Sequence, residues 1–360
     1  MIKVSYISEI NLPSKSGYTH HVLKICDAFS KKYTTKLYVY SSNVDFATLK
    51  KNYLLKKKFQ VINYTKKNKI NFFSRILFFI FVLKNIDKNS LIISRSILSS
   101  LFLSLLKIKN ILELHHPPTG LTRLVFLVIK FLKMDKDCKY IFLHKNLKKK
   151  MSIKKGIILD DCVDINDFKK KNNRFKYEYS YVGSLFKGKG LEIIIGLASK
   201  FKKKKFHIFG DLKSINHKII DIKKLKKISN LHLHDFKNYN QIPEILKSSK
   251  ILLMPYLNSV SVNSENLEVV NYMSPLKMFD YLASGKIIFA SNLKVYKHIL
   301  KNEYNAFLVN KNNLNSWFSL INNFNKKKID FNKISRNAIK TALKYTWDKR
   351  VDKIVNYYKQ

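Results

Sequence analysis

Short apolar runs alternate with amphipathic stretches along most of the chain. In the first half, strand-like runs fall near residues 2–8, 36–40, 91–94, 110–114, 139–143 and 156–160. In the second half, a helix-like stretch follows each of the runs YSYVGS, KFHIFG, LHLHDF, ILLMPY, IIFAS and AFLV. Strand and helix alternating on this scale predict an α/β protein with doubly wound parallel sheets.

A polar stretch rich in Lys and Asn, NDFKKKNNRFKYE, interrupts this alternation in the middle of the chain. We therefore expect a first domain over 1–165, a linker over 166–178 and a second domain over 179–345. The last residues, 346–360, are expected to form a helix that could pack back on the first domain. In doubly wound sheets, ligands bind beyond the carboxyl ends of the strands.

The net charge of +45 in 360 residues is the strongest feature of the composition. The basic residues are 63 lysines and only 6 arginines, and the lysine runs are spread over the whole chain. A dedicated nucleic-acid-binding protein would more often cluster arginine for phosphate and guanine contacts. We interpret the charge as solvated surface, so no specific nucleic acid is expected. Attraction to an anionic membrane is the alternative.

Three well-separated cysteines indicate a reducing compartment without a disulfide framework. The chain opens on the strand-like run MIKVSYIS, with no secretory signal, so a cytoplasmic location is expected. The most apolar segments are shorter than a membrane span. For residues 121–132, which include Arg123 and Lys130, we expect packing in the core, with contact to a membrane surface as the alternative.

Two turns in the first half could bind a ligand. Gly17, in SEINLPSKSGYTHHV, would let the backbone approach a ligand closely, although an ordinary loop would look the same. In ILELHHPP, Glu113 and His115 should lie on one side of a strand, because side chains alternate. His115 could then hold a hydroxyl group or move a proton. The alternative is a histidine satisfied by the backbone.

Two turns in the second half also stand out. In YVGSLFKGKGLE, Lys187 and Lys189 enter a helix through a glycine-rich turn, where amines beside free N–H groups would suit a diphosphate. In SPLKMFDYLASGK, the pattern predicts Ser274 as the N-cap, Pro275 at the first helical position and Gly285 as the stop. The alternative for this helix is a capped core element. His232 and His234 share one face of a strand, but the sequence offers no third ligand for zinc.

The ordered set of motifs resembles family 4 glycosyltransferases of the GT-B fold. The resemblance spans nearly the whole chain and lies closest to a subgroup in which a Ser-Pro-Leu-Lys segment opens the donor-site helix. It rests on the segments SKSGYTHHV, ELHH, DDCVD, YVGSLFKGKGLE, MPY, SPLKMFDYLASGK, NAFLV and YTWDKR. It implies two Rossmann-like domains facing across a cleft, the first binding the acceptor and the second binding a nucleotide sugar.

The resemblance also implies roles for individual residues. His115 and Lys189 would be catalytic, the first near the reaction centre and the second on the donor diphosphate. Asp280 matches the second acid of the family's E-x7-E motif, which binds ribose. The donor-binding residues implied are Gly17, Gly183, Ser184, Lys187, Ser274, Leu276, Lys277 and Asp280.

This chain departs from the family pattern at several of these positions. Tyr272 stands where the first acid of E-x7-E would be, so backbone groups of Ser274, Leu276 and Lys277 would replace its contact to the donor sugar. Ser184 stands where the family has arginine, which removes one positive charge unless Lys187 supplies it. Ser16 replaces the first glycine of the N-terminal loop, and Cys162 replaces a glycine in DDCVD.

The function implied is retaining transfer of a sugar from a nucleotide sugar to a glycan or lipid-linked acceptor. The resemblance implies bacterial surface polysaccharide synthesis, no cofactor and no essential metal. The enzyme would be cytoplasmic and could contact the inner face of the cell membrane peripherally. Two alternatives stay open at this point: a basic nucleic-acid-binding protein, and a GT-B-like protein that has lost catalysis.

Overall fold

The computed structural model describes residues 2–65, 69–169, 174–215, 221–260, 269–309, 313–324 and 329–360. The chain divides into two compact units. The first comprises Met1–Asp161 together with Trp347–Gln360, and the second comprises Cys162–Thr346. Each unit is built around one parallel sheet, as the alternation of short apolar runs requires.

The sheet of the first unit has seven strands in the order β3-β2-β1-β4-β5-β6-β7. Every pairing within it is parallel. Its strands are β1 (Lys3–Leu12), β2 (Thr34–Ser42), β3 (Gln60–Thr65), β4 (Leu91–Ser94), β5 (Asn110–Leu114), β6 (Cys138–Phe142) and β7 (Ile157–Ile158). The chain builds outward from β1 to β3 and then returns to place β4 on the other side of β1.

Six helices connect these strands: α1 (Gly17–Phe29), α2 (Phe46–Tyr53), α3 (Phe72–Asn85), α4 (Ile97–Leu105), α5 (Gly120–Phe131) and α6 (Lys145–Lys150). Side-chain caps explain several starts. Asp45 caps α2, Ser96 caps α4, and Asn71 and Ser74 form a capping box at α3. The last helix, α13 (Trp347–Lys359), belongs to this unit and packs on α1.

The sheet of the second unit has six parallel strands in the order β10-β9-β8-β11-β12-β13. Its strands are β8 (Tyr177–Val182), β9 (Phe206–Phe209), β10 (Leu231–His234), β11 (Ser249–Met254), β12 (Ile287–Ser291) and β13 (Phe307–Val309). The helices are α7 (Leu191–Lys200), α8 (Ile222–Lys226), α9 (Ile242–Lys247), α10 (Leu276–Ser284), α11 (Leu314–Phe324) and α12 (Phe331–Ala342).

A large apolar core fills the second unit around Trp317, which is fully buried in α11. Phe289 and Phe307, on neighbouring strands, pack edge-on against Phe324. Burying an aromatic side chain of this size stabilises a fold by about 1.5–3 kcal/mol, and edge-on pairs add about 1 kcal/mol. Aromatic side chains therefore pack the sheet of the second unit against its helices.

Several expectations for local structure need correction. The strand β3 has no counterpart among the predicted strands, because its sequence QVINYT is neither a continuous apolar run nor a regular alternation, and none of its residues is fully buried. Helix α10 begins at Leu276, so Pro275 occupies the N-cap position and Ser274 lies before it, without the predicted side-chain cap. The predicted linker includes a short 3₁₀ helix at Ile165–Phe168 and the start of β8, while residues 170–173 lie outside the described residues.

The apolar segment 121–132 is helical, but most of its residues do not pack in the core as expected. In α5 only Thr122, Phe126 and Ile129 are buried, whereas the exposed fractions of Leu124 and Phe131 are 60% and 85%. None of the helices in the described residues has both the length and the apolar character needed to span a bilayer. One side of α5 therefore presents large apolar side chains to solvent.

Candidate functional site

The second sheet reverses its strand order between β8 and β11, and the predicted donor residues surround that point. Such switch points leave a crevice beyond the carboxyl ends of two parallel strands, because the helices that follow them lie on opposite faces. Gly183 follows β8 directly, and Pro255 and Tyr256 follow β11. Helix α10 contacts the same strands through Tyr281, whose hydroxyl accepts from the Val182 N–H at 2.9 Å.

Two lysine amines lie at this switch point. The Lys277 Nζ atom is 3.8 Å from the ring centre of Tyr181 and 5.4 Å from that of Tyr256. The Lys189 Nζ atom is 4.8 Å from the Tyr256 ring centre. A cation over an aromatic face is attracted by about 0.5–2 kcal/mol. Neither amine has a carboxylate partner among the described residues, and the Lys277 amine is buried without any hydrogen bond.

The two amines are electrostatically costly in this position. Burial lowers the pKa of Lys189 to about 8. Burial and then the charge of Lys189 lower the pKa of Lys277 well below its usual value. A buried ammonium without an anionic partner loses the favourable hydration that it has in water, and the protein supplies no equivalent interaction. A bound phosphate would supply one. The arrangement is therefore poised to bind an anion.

Two glycines make this arrangement possible. Gly183 has a positive φ of 145°, and a Cβ there would overlap the Lys277 amine. Gly190, at the N-cap of α7, has φ 84°, and a Cβ there would collide with the Pro255 carbonyl oxygen. Only glycine tolerates both the left-handed backbone and the close approach. Gly190 thereby brings the start of α7, with Lys189 just before it, against the end of β11.

Helix α10 supplies the remaining predicted residues of this unit. Leu276 and Lys277 are its first two residues, so their N–H groups lie at the positive end of the helix dipole. Ser274 is buried immediately before the helix. Asp280 is also buried, and its carboxylate accepts a hydrogen bond from the Tyr239 hydroxyl at 3.2 Å. Ser274, Lys277 and Asp280 thus lie within two turns of one another.

Ser184 and Lys187 are not buried with this cluster. Both side chains are exposed in the turn after β8, and Ser184 contributes its carbonyl oxygen to the Tyr181 hydroxyl at 2.6 Å. The Lys187 side chain is exposed to solvent, whereas the two amines are buried. The side chain that stands beside Lys189 is therefore Lys277, which the sequence interpretation had assigned only a backbone role.

A second group of polar side chains lies in the first unit, around the buried Glu113 at the end of β5. Its Oε1 atom lies 2.7 Å from Arg350 Nη2, 2.8 Å from His115 Nε2 and 2.9 Å from His21 Nε2. Its Oε2 atom accepts from the Tyr6 hydroxyl at 2.9 Å. Burial opposes ionisation, but His21 and Arg350 outweigh it and hold the pKa of Glu113 well below its usual value.

His115 is neutral in this environment. Burial, followed by the charge of Arg95, lowers its pKa to about 3, although Glu113 acts in the opposite direction. Because Glu113 is ionised, the Nε2–H of His115 donates to it, which leaves Nδ1 as the atom with a free lone pair. A neutral imidazole in this tautomer can accept a hydrogen bond from a hydroxyl group.

One group of side chains in the described part of the chain could hold a metal ion. It comprises His21, His115 and Asp161, whose ligand atoms lie within 4.8 Å of one another. However, His21 already lies 2.5 Å from Asp161 through Nδ1 and 2.9 Å from Glu113 through Nε2. Both ring nitrogens of His21 thus already lie beside carboxylates. The group therefore resembles an ion-pair network more than a metal centre.

The sequence interpretation missed several contributors to these sites. Arg350 reaches Glu113 from α13, 237 residues away in sequence, and no local pattern could indicate that. Tyr239, which contacts Asp280, comes from a short 3₁₀ helix. His207 is a neighbour of this pair that the sequence did not indicate, with its Nδ1 atom 3.1 Å from His234 Nε2, but the three histidines are not among the groups of described residues that could hold a metal ion. The stacked rings of His207 and His232, 4.7 Å apart, do not converge on a common ligand point.

The second unit also matches a family of known proteins. Residues 163–341, about half of the chain, match the family model described as glycosyl transferases group 1. The C-terminal half of this chain is a glycosyl transferases group 1 domain. The prediction that the protein is a glycosyltransferase enzyme is thereby confirmed. No curated protein sequence matches the chain.

Solved structures of glycosyltransferases share the fold along the whole chain. Anabaena HepE, in complex with UDP and glucose, is 13% identical with a TM-score of 0.72, over 99% of this chain and 100% of that one. Staphylococcus aureus TarM is 12% identical with a TM-score of 0.75, over 100% of both chains. WaaG, a glycosyltransferase of lipopolysaccharide biosynthesis, is 12% identical with a TM-score of 0.63, over 97% and 98%. The predicted GT-B fold with two Rossmann-like domains is confirmed.

Proposed function

We propose that this glycosyltransferase moves a sugar from a nucleotide sugar to a glycan or lipid-linked acceptor, with retention of configuration at the sugar. The observation on which this rests is the pair of buried amines, Lys189 and Lys277, at the switch point of the second sheet. HepE and TarM, which share the fold, were crystallised with UDP.

The donor diphosphate would bind where the amines and the helix start meet. As the bond from the sugar to the diphosphate breaks, negative charge grows on the leaving oxygen, and fixed positive groups stabilise that charge most. Lys189 and Lys277 supply two such groups, and the first N–H groups of α10 supply more. We assign Lys277 the charge that Ser184 removes from the family pattern, because Lys187 is exposed and Lys277 is not.

Asp280 would bind the nucleotide on the same helix. Its carboxylate lies one turn beyond Lys277 and accepts from the Tyr239 hydroxyl, which fixes its orientation. Carboxylate oxygens can accept hydrogen bonds from both hydroxyls of a ribose. Two residues of the first unit also have proposed roles. Gly17, in the N-terminal loop, would contact the donor, and His115 would contact the reacting sugar.

The two amines also support transfer without an essential metal. In many phosphoryl and glycosyl sites a divalent cation neutralises the diphosphate, but here two ammonium groups could do so directly. We therefore expect turnover to persist in excess chelator. Loss of activity in EDTA that Mg²⁺ or Mn²⁺ restores would contradict this part of the proposal.

A thermal-shift screen tests the donor assignment. Because a ligand that binds only the folded state stabilises it, UDP, GDP or ADP should raise the melting temperature of the protein, and the matching sugar nucleotide should do the same. Lys189→Met should reduce the shift at a given nucleotide concentration, and the exposed-site variant Lys200→Met should keep it. A protein that binds a nucleotide without transferring or hydrolysing its sugar would be a GT-B protein without catalysis.

We also propose peripheral contact with an anionic membrane, which would give access to a lipid-linked acceptor in surface polysaccharide synthesis on the cytoplasmic side. The support is the exposed side of α5, where Leu124, Leu127, Val128 and Phe131 are each more than half exposed. Arg123 and Lys133 are exposed on the same segment. Immersing half of a leucine-sized side chain contributes about 1 kcal/mol, and each nearby basic residue about 1 kcal/mol.

Vesicle sedimentation tests this contact. The protein should bind vesicles that contain phosphatidylglycerol, and Leu124→Gln combined with Phe131→Gln should weaken binding by about tenfold to a hundredfold. The matched control is Leu343→Gln combined with Phe331→Gln, which removes exposed apolar side chains from the second unit. Equal vesicle binding by both double variants would refute the role of α5.

A further inference from the structure

The first sheet has its own switch point, between β1 and β4, and an arginine lies there. Strands β1 to β3 build in one direction, and the chain then places β4 on the opposite side of β1. Arg95 follows β4 directly, and its backbone N–H donates to the Ile7 carbonyl oxygen of β1 at 2.9 Å. By the rule that governs doubly wound sheets, this is the position at which the first unit should bind a ligand.

The Arg95 guanidinium is oriented by an aromatic ring and has no counter-ion within the described ranges of the chain. Its central carbon lies 3.8 Å from the ring centre of Tyr18, which immediately follows Gly17 in α1. The Tyr18 hydroxyl is in turn held by Ser8 at 2.9 Å. The Nη1 atom of Arg95 is buried and has no hydrogen-bond partner. Leaving such a buried donor unsatisfied is unfavourable, because the hydrogen bond that it makes to water in the unfolded chain is not replaced.

The nearby carboxylates are already engaged with other cations. Glu9 accepts from Arg75 Nε at 2.7 Å and from the Ser96 hydroxyl at 2.6 Å. Glu113 is held by Arg350 and by the two histidines described above. Among the described residues, no carboxylate forms an ion pair with Arg95. The charge of Arg95 instead acts on His115 and His116, whose pKa values it lowers after the larger effect of burial.

Arginine at this position is itself informative. The chain has 6 arginines against 63 lysines, and a surface charge alone would be met by lysine, as it is almost everywhere else. A planar guanidinium stacked on tyrosine presents a fixed fork that matches the two oxygens of a phosphate or carboxylate. A lysine amine offers only a point charge.

We propose that Arg95 binds an oxyanion group of the acceptor, a phosphate or a carboxylate, at the switch point of the first sheet. This inference rests on the proposed function, since it names the chemical class of the acceptor. The acceptor hydroxyl that attacks the donor sugar would then belong to a molecule that is itself anionic. Tyr18 positions the guanidinium, and Arg95 provides the contact.

Titration calorimetry on the full chain tests the proposal. With UDP present in excess to occupy the donor site, the probes are glycerol 3-phosphate, D-glucuronate and the neutral methyl α-D-glucoside. One anionic probe should bind, and Arg95→Gln should weaken it by about tenfold to a hundredfold, as expected for a charge-assisted bidentate contact. Arg95→Lys should restore part of the affinity. The exposed arginine variant Arg336→Gln should bind as the unchanged protein does.

An NMR titration of the unchanged protein gives a check that needs no variant. An anion beside Arg95 offsets the charge that lowers the pKa of His116, so the bound probe should raise that pKa. Equal binding of the neutral glucoside, equal binding by Arg95→Gln, or an unmoved His116 would overturn the proposal. Loss of UDP binding in Arg95→Gln would assign Arg95 to the donor. Failure of the unchanged protein to bind any nucleotide would instead refute the proposed function.

Discussion

Replacing Lys189 by methionine should make the free protein more stable and weaken donor binding at the same time. Lys189 is only 8% exposed, has no carboxylate partner among the described residues, and has a pKa of about 8. The unfolded chain returns this amine to water, where its pKa is about 10.4. Methionine has a similar length and fills the same space without a charge.

The size of the effect follows from the difference between the two pKa values. About 2.5 pKa units correspond to about 3 kcal/mol, which is the cost of holding the charged amine in the folded protein at neutral pH. The unfolded state binds more protons between pH 8 and pH 10.5, so stability rises with pH in that window. By pH 9.5 the unchanged protein should have regained about 2 kcal/mol. The free energy of unfolding of Lys189→Met should not show this increase with pH.

Trp317 allows the measurement to be confined to the second unit. The chain has two tryptophans, and Trp347 belongs to the first unit. In a Trp347→Phe background, urea unfolding followed by Trp317 fluorescence reports the free energy of unfolding of the second unit. We expect Lys189→Met to raise this free energy at pH 7, and we expect UDP to raise it less in the variant than in the unchanged protein. The exposed-lysine variant Lys200→Met serves as the matched control.

Two results would refute this reasoning. If Lys189→Met were less stable than the unchanged protein at pH 7, the amine would be paired in solution and would not be waiting for an anion. If UDP still stabilised the variant as strongly as the unchanged protein, the diphosphate would bind elsewhere. A charge-assisted contact of this kind is worth about 1.5–3 kcal/mol, so the affinity for UDP should fall by about tenfold to a hundredfold.

Three further predictions address other parts of the molecule. UDP binding near pH 8 should take up protons, because the diphosphate raises the depressed pKa of Lys277; calorimetry in buffers of different ionisation enthalpy should detect the uptake, and Lys277→Met should reduce it. Glu113→Gln should destabilise the first unit by about 3 kcal/mol, since it leaves Arg350 buried without its carboxylate; unchanged urea unfolding followed by Trp347 would contradict this. Burial lowers the pKa of His207 to about 4, so the second unit should lose stability as pH falls from 6.5 toward 4, and His207→Phe should melt at a less pH-dependent temperature.

The class of the fold was predictable because it depends on local pattern. Each predicted run in the second half coincides with a strand, since a strand buried on both faces must be a short apolar run. The same reasoning missed β3 at the edge of the first sheet. Edge strands are covered on fewer sides, so their sequences need not be apolar, and QVINYT is half-buried except for the exposed Gln60.

The candidate sites were predictable only in part, because their contacts are not local. The turn at Gly183 and the helix at Leu276 could each be found from sequence, but no pattern placed the Lys277 side chain against Tyr181. Ser274 failed as an N-cap because Pro275 adopts the extended N-cap backbone itself and the helix starts one residue later. Sequence propensity predicts the start of a helix only to within a residue or two, yet a shift of one residue changes which side chain faces the ligand.

The composition suggested a broad, unspecific positive surface, and that interpretation explains why the functional cations were hard to find. A solvated lysine contributes little to the stability of the fold and its side chain has no fixed position, and most of the 63 lysines are of this kind. Lys189, the Lys277 amine and one guanidinium nitrogen of Arg95 differ because the fold buries them beside aromatic rings at the two switch points, where hydration is lost and none of the described carboxylates pairs with them. Charge therefore indicates function in this chain only where burial makes it costly. The two switch points meet that condition, one with a pair of point charges suited to a diphosphate and the other with a planar fork suited to a single oxyanion.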